Sequence, residues 1–202
     1  MKRCLSVIIM SAMAALSGCA SPEIRYHTLV SPEAAGVTGA PASFMIEVLP
    51  VGVPAQLDSQ QVVIRQSSSR VVVLQNDRWL SPLGEEVQTA LSSRMTQRLQ
   101  TTDVAGLTRD DNKPVIRVLL QVRRFDSWPG KSLTLDAGWS LSRMNGGKRI
   151  KVVCHTRLSR TLSGDASQMF TLWQGVMEIA ADQMAKTARQ WMNSGDTTCP
   201  QP

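Results

Sequence analysis

The sequence predicts an α+β domain in which two long amphipathic helices pack on one face of a mostly antiparallel sheet. Three observations carry this. Leu83, Val87, Leu91, Met95 and Leu99 recur every four residues, and Phe170, Trp173, Met177, Ala180, Met184, Ala188 and Trp191 recur at three- and four-residue steps. Between these stripes, three runs from Val115 to Leu158 alternate apolar with polar. A period near 3.6 marks a helix with one buried face and a period of 2 marks a half-buried strand. Two such helices can hide their stripes on one face of such a sheet, which is the layered α+β solution.

The elements follow in order. Residues 24–30 read as a short strand, and 31–42, rich in Pro, Gly and Ala and without periodicity, as a loop. Residues 44–53 form a second β-rich run, stopped by Pro54, which cannot donate to a ladder. Two β-branched runs at 61–66 and 70–76 flank Ser67-Ser68-Ser69 and give a hairpin signal. Ser81-Pro82 opens the first helix, since Ser is a good N-cap and Pro fits the first helical position. Glu85 falls one residue late for a capping box, but Glu85 and Glu86 both favour the positive end of the helix dipole. After a polar loop at 101–113, Ile116, Val118, Leu120 and Val122 share one face, with Arg117, Gln121 and Arg123 opposite. The runs at 133–142 and 150–158, joined through Asn145-Gly146-Gly147, complete a meander with one buried and one polar face, and place Lys151, His155 and Arg157 on the polar side. The second helix takes residues 167–193. No internal repeat or linker divides the chain, so one domain over 24–193 with a tail at 194–202 is expected.

Composition narrows the chemistry. The chain has 202 residues, 22 Lys+Arg against 16 Asp+Glu, 43% hydrophobic and 19% charged residues, as in a globular protein with a sizeable core. Disorder throughout and multiple membrane spans are excluded. Two His and four Cys, at 4, 19, 154 and 199, lack the short Cys spacing of a zinc ribbon or dithiol motif, so no metal or other cofactor is expected. There is no GxSxG elbow, no HExxH and no P-loop, and the expectation is a protein that is not an enzyme.

The first residues form an export signal: a positive Met1-Lys2-Arg3, an apolar stretch over 5–16, and Leu16-Ser17-Gly18-Cys19. The apolar stretch is too short to span a bilayer. The four-residue pattern resembles a bacterial lipobox, which implies that residues 1–18 are removed and that Cys19 becomes the lipidated first residue, the only attached group expected. The remaining 184 residues carry +4 in place of +6, too little to argue for nucleic acid. Ala20 and Ser21 follow the Cys; by resemblance to enterobacterial-type lipoproteins, the lack of Asp there implies sorting to the outer membrane. Residues 20–23, a tether of at most about 14 Å, keep the domain close to that membrane.

Ile46-Glu47-Val48-Leu49-Pro50, Val62-Val63-Ile64-Arg65, Asp77-Arg78-Trp79-Leu80-Ser81-Pro82-Leu83, Val122-Arg123-Arg124-Phe125 and Leu135-Asp136-Ala137-Gly138-Trp139, in this order over residues 26–192, resemble the ABC-type transport auxiliary lipoproteins, PqiC-like. That resemblance implies an α+β domain related to the N-terminal domain of TolB. It also implies a lipid-anchored outer-membrane protein that works with an inner-membrane protein carrying mammalian-cell-entry (MCE) domains, in lipid transport between membranes or in envelope integrity. A domain narrower than a transport tube further suggests a homo-oligomeric ring. A structural or chaperone-like lipoprotein assisting outer-membrane protein assembly is the alternative.

Candidate contact residues are few. Trp128 lies at an expected hairpin tip and could meet protein or lipid headgroups. Arg117, Arg123, Lys151 and Arg157 form a basic face that could dock an acidic partner or phosphate, or could simply be solvated. Trp79 is either an exposed partner contact or a residue folded under the helix start, and Trp139 falls on the core side. Cys154 and Cys199 could be bridged in an oxidising compartment, or Cys154 could be a buried free thiol.

Overall fold

The structure, a computed structural model, describes residues 22–32, 40–107, 112–164 and 166–200. The expected export signal, Cys19 and part of the loop expected at 31–42 lie outside these residues. The strands are β1 (Arg25–His27), β2 (Met45–Val48), β3 (Gln61–Arg65), β4 (Val71–Trp79), β5 (Val115–Trp128), β6 (Ser132–Asn145) and β7 (Lys148–Thr161). The helices are α1 (Leu83–Leu99) and α2 (Ala166–Ser194). The α+β class holds, but the strands form two sheets, ordered β1-β4-β3 and β2-β5-β6-β7. β1 pairs with β4, and β2 with β5, in parallel; the other pairs are antiparallel. Both parallel partners are reached through long intervening segments, as parallel pairing requires.

The helix stripes and the alternating strands meet as their periods predict. Leu83, Val87, Leu91, Met95 and Leu99 of α1 and Trp173, Met177, Ala180, Met184 and Ala188 of α2 are buried against Ile116, Val118, Leu120, Leu135, Trp139 and Val152 of the larger sheet. Between the helices, Asp182 accepts hydrogen bonds from Arg98 at 2.6 Å and Arg94 at 3.1 Å. Burial pushes the Asp182 carboxyl up, but these guanidinium bonds and charges outweigh it and hold it below the ordinary carboxylate range.

An aromatic cluster ties the smaller sheet to the larger one. His27 of β1 stacks on Phe170 of α2 at 3.4 Å, Phe125 of β5 stacks on Trp173 at 3.6 Å, and Trp79 stands edge-on to both Phe125 and Phe170. The Trp173 indole donates to Ser127 Oγ at 2.8 Å, so its one polar atom is satisfied in the core. Trp79 ends β4 and is 3% exposed, so it is a core residue and not an exposed partner contact.

β1 is only three residues long and polar side chains hold it in place. Asp77 of β4 is 6% exposed and accepts from Arg25 Nε at 3.0 Å and Arg25 Nη2 at 2.9 Å, with His27 Nε2 at 2.7 Å. One turn into α1, Glu86 is 3% exposed and accepts four hydrogen bonds: from Thr28 Oγ1 (2.8 Å), the Leu29 amide (2.9 Å), Ser81 Oγ (3.0 Å) and the Ser81 amide (3.2 Å). Ser81 therefore serves Glu86 and makes no side-chain cap to the helix, whose N-cap is Pro82. Gln174 of α2 completes the clasp by donating to the Thr28 and Val30 carbonyls.

Burial pushes the Asp77 carboxyl up, but hydrogen bonds from Arg25 and His27 and their charges more than offset this and hold it below its ordinary value. A carboxyl depressed in the folded state stabilises it above the unfolded pKa of about 3.9, and the gain is lost as pH falls through the folded value. Denaturant unfolding should therefore show stability falling below about pH 4, with a shallower fall in Asp77→Asn, which should also lose about 1–3 kcal/mol at neutral pH. Parallel acid limbs in the two proteins would contradict this role.

Candidate functional site

The strand registers lay out the outer face of the β5-β6-β7 meander in rows. Arg117, Ser142 and Lys151 form one row; Leu119, Ser140 and Val153 the next; Gln121, Gly138 and His155 a third; Arg124, Asp136 and Arg157 a fourth. Residues of β6 in these rows are short, so the longer side chains of β5 and β7 stand on either side of a shallow trough. Leu119 (43% exposed) and Val153 (61%) face solvent there although alternation gives each strand a buried face for its aliphatics.

A β-bulge changes the phase of β5. Val122 pairs with Ala137 and Arg124 with Asp136, which leaves Arg123 as the extra residue. Two consecutive arginines thereby face solvent, while Phe125 and Ser127 return to the core side. The Arg123 guanidinium lies over Gly138, 3.7 Å from where a side-chain carbon at that glycine would sit. The chain needs no side chain at that point because an arginine covers it.

The basic face is partly neutralised from within. Arg117 pairs with Glu47 of β2 at 2.9 Å. Asp136 takes His155 Nε2 at 2.9 Å and lies 3.9 Å from Arg157. The hydrogen bond from His155 is the main reason its carboxyl falls below the ordinary range, helped by the charges of Arg157 and Arg123 and opposed by partial burial. Lys151 and Arg123 are exposed and form no ion pair with other described residues. Of the four cations the sequence groups together, all lie on this face; Trp128 lies apart at the end of β5, half-buried, with Lys131 Nζ 3.5 Å over its ring and the Arg65 guanidinium at 5.9 Å. A cation–π contact of this kind satisfies both partners locally.

Cys154 and Cys199 form a disulfide with Cα atoms 5.5 Å apart. It clips the tail after α2 onto β7, the edge strand of the larger sheet. Elsewhere that strand carries Lys148, Arg149, Lys151, Arg157 and Arg160, and charge on an edge opposes unwanted strand pairing. Sequence reasoning did not find Asp77 or Glu86. Glu86 reads from spacing only as a dipole partner, and the partners of Asp77, Arg25 and His27, lie about 50 positions away in the chain. Among the described residues, no group of His, Cys, Asp or Glu could hold a metal ion, and no helix is long and apolar enough to cross a membrane.

This chain belongs to the ABC-type transport auxiliary lipoprotein component family, whose model matches residues 27–185. The match takes in the last residue of β1, the aromatic cluster, Asp77, the Glu86 clasp and the meander. No curated protein is detectably similar. An uncharacterised protein of known crystal structure is similar in fold, with a TM-score of 0.60 at 19% identity over 82% of this chain and 98% of its own. A DUF330-family protein from Xanthomonas campestris has a TM-score of 0.56 at 14% identity over 86% of this chain and 94% of its own.

The bridge is tested on unreduced protein, with thiols assigned by position. Thiol counting after denaturation should find neither Cys154 nor Cys199 reactive, and Cys199→Ser should lower the unfolding free energy by about 2–4 kcal/mol. Reactive thiols at both Cys154 and Cys199 would show that the tail is not clipped.

Proposed function

We propose that this chain is a non-catalytic lipoprotein, anchored to the outer membrane through a lipid on Cys19, that serves as the periplasmic partner of an MCE-type, ABC-linked lipid transport system. The observation that carries the reading is the family match from His27 to Ala185, which covers nearly the whole described domain and defines a transport auxiliary component. The lipobox ending in Cys19 supplies the anchor, and two or more acyl chains on one residue make attachment effectively permanent. The clasp on β1 supports the mechanism. With only a few residues between Cys19 and a strand fixed by Asp77 and Glu86, the domain is held close to the bilayer as a body, and its remaining surface is free to receive an MCE protein. A ring of several copies would match the width of a transport tube better than one domain.

Affinity purification of the intact lipoprotein from membranes tests this. An MCE-domain protein should be recovered with it, and Cys19→Ala should abolish both membrane retention and that recovery. Recovery of a β-barrel without an MCE protein would instead favour a chaperone-like role in outer-membrane protein assembly.

A further inference from the structure

A groove of about 460 Å³ lies between the β3–β4 hairpin and the C-terminal half of β5, within the size range of small-molecule sites. Its walls include Leu57, Val63, Val71 and Val73, with Phe125 beside them. Val71 is 52% and Val73 36% exposed, an apolar strip on the outward side of a hairpin whose other side already packs on the core. Exposed aliphatics that line a groove are one mark of a binding surface.

Charge is concentrated at one side of the same groove. Arg65, Arg123 and Arg124 line it together with one carboxylate, Asp126. Asp126 accepts both its oxygens' bonds from Arg65 Nε at 2.9 Å and a further bond from Arg124 Nη2 at 2.7 Å. Three guanidinium groups against one carboxylate leave an excess of positive charge. Arg123 supplies its share because the β-bulge turns it outward beside Arg124. Bulges recur where a side chain must be re-aimed.

We propose that this groove binds one phospholipid, with its phosphate on Arg123 and Arg124 and one acyl chain along Val63, Val71 and Val73. Paired guanidinium groups suit a phosphate diester, which accepts several charge-assisted hydrogen bonds at one point. A peptide strand on the free edge of β3 without acidic side chains would leave the excess guanidinium charge unmatched, whereas a phosphate diester neutralises it. The inference stands apart from the docking reading: an auxiliary protein that only receives a transport tube needs no lipid groove, and either can fail without the other.

The test uses the full-length protein in cells grown on radiolabelled phosphate, with a photoreactive benzophenone amino acid replacing Val73. The diacylglyceryl group expected on Cys19 contains no phosphorus, so label on the purified protein after irradiation reports a captured phospholipid. Label should exceed that obtained with the probe at Leu80, which is 60% exposed and outside the groove. Adding Arg123→Glu should lower it about tenfold, the loss expected for one charge-assisted hydrogen bond, and Arg123→Lys should retain most of it. Equal label at the two positions, no label at either, or label indifferent to Arg123→Glu would overturn the proposal. Crosslinking of position 73 to a polypeptide would show that the groove holds a protein segment.

Discussion

Glu86 receives the end of β1 in a buried pocket, and the arrangement of the N-terminal third of the domain depends on it. β1 has three residues, and Ile24 and Tyr26 are exposed, so apolar burial alone cannot hold it. The Thr28 and Leu29 bonds to Glu86, the Arg25 and His27 contacts to Asp77, and the two bonds from Gln174 take over that task. A buried carboxyl left without these donors would be costly, so the clasp is cooperative: each donor is needed once the acid is inside. Once β1 is set, His27 lies flat on Phe170, and the aromatic cluster connects both sheets to α2.

Much of the domain is legible from period alone. The stripes of α1 and α2 and the alternation through β5, β6 and β7 name their buried faces, since burial follows from the side-chain directions of a helix or a strand. Partners are another matter. Periodicity says which side of residues 24–30 or 44–53 is apolar, not which strand lies alongside, so the parallel pairings and the division into two sheets come only from the structure. The bulge at Arg123 also escapes, although two adjacent arginines before Phe125 are where strict alternation breaks. Asp77 and Glu86 are hidden for a similar reason, because a buried polar residue is identified by distant donors. The Cys154–Cys199 pairing stays open from sequence because a thiol on an apolar strand face has an equally good account as a small core residue.

The charges on the outer meander face read differently in context. Arg117 is matched by Glu47, and Arg157 shares Asp136 with His155, so two of the four grouped cations have structural partners. Arg123 and Lys151 keep their charge toward solvent, next to Leu119 and Val153. Arg123 lines both that face and the apolar groove between the hairpin and β5. In this chain the charged and apolar surfaces are built around a rigid core, with the disulfide fixing the tail against β7.

Strand β1 is part of the rigid body and not a loosely attached arm. Hydrogen exchange of the Leu29 amide, which donates to Glu86 at 2.9 Å, tests it most directly. Exchange at the rate set by global unfolding, like that of the core amides of β5 and β6, is the predicted result. Exchange through low-energy local opening, while those core amides stay protected, would contradict it.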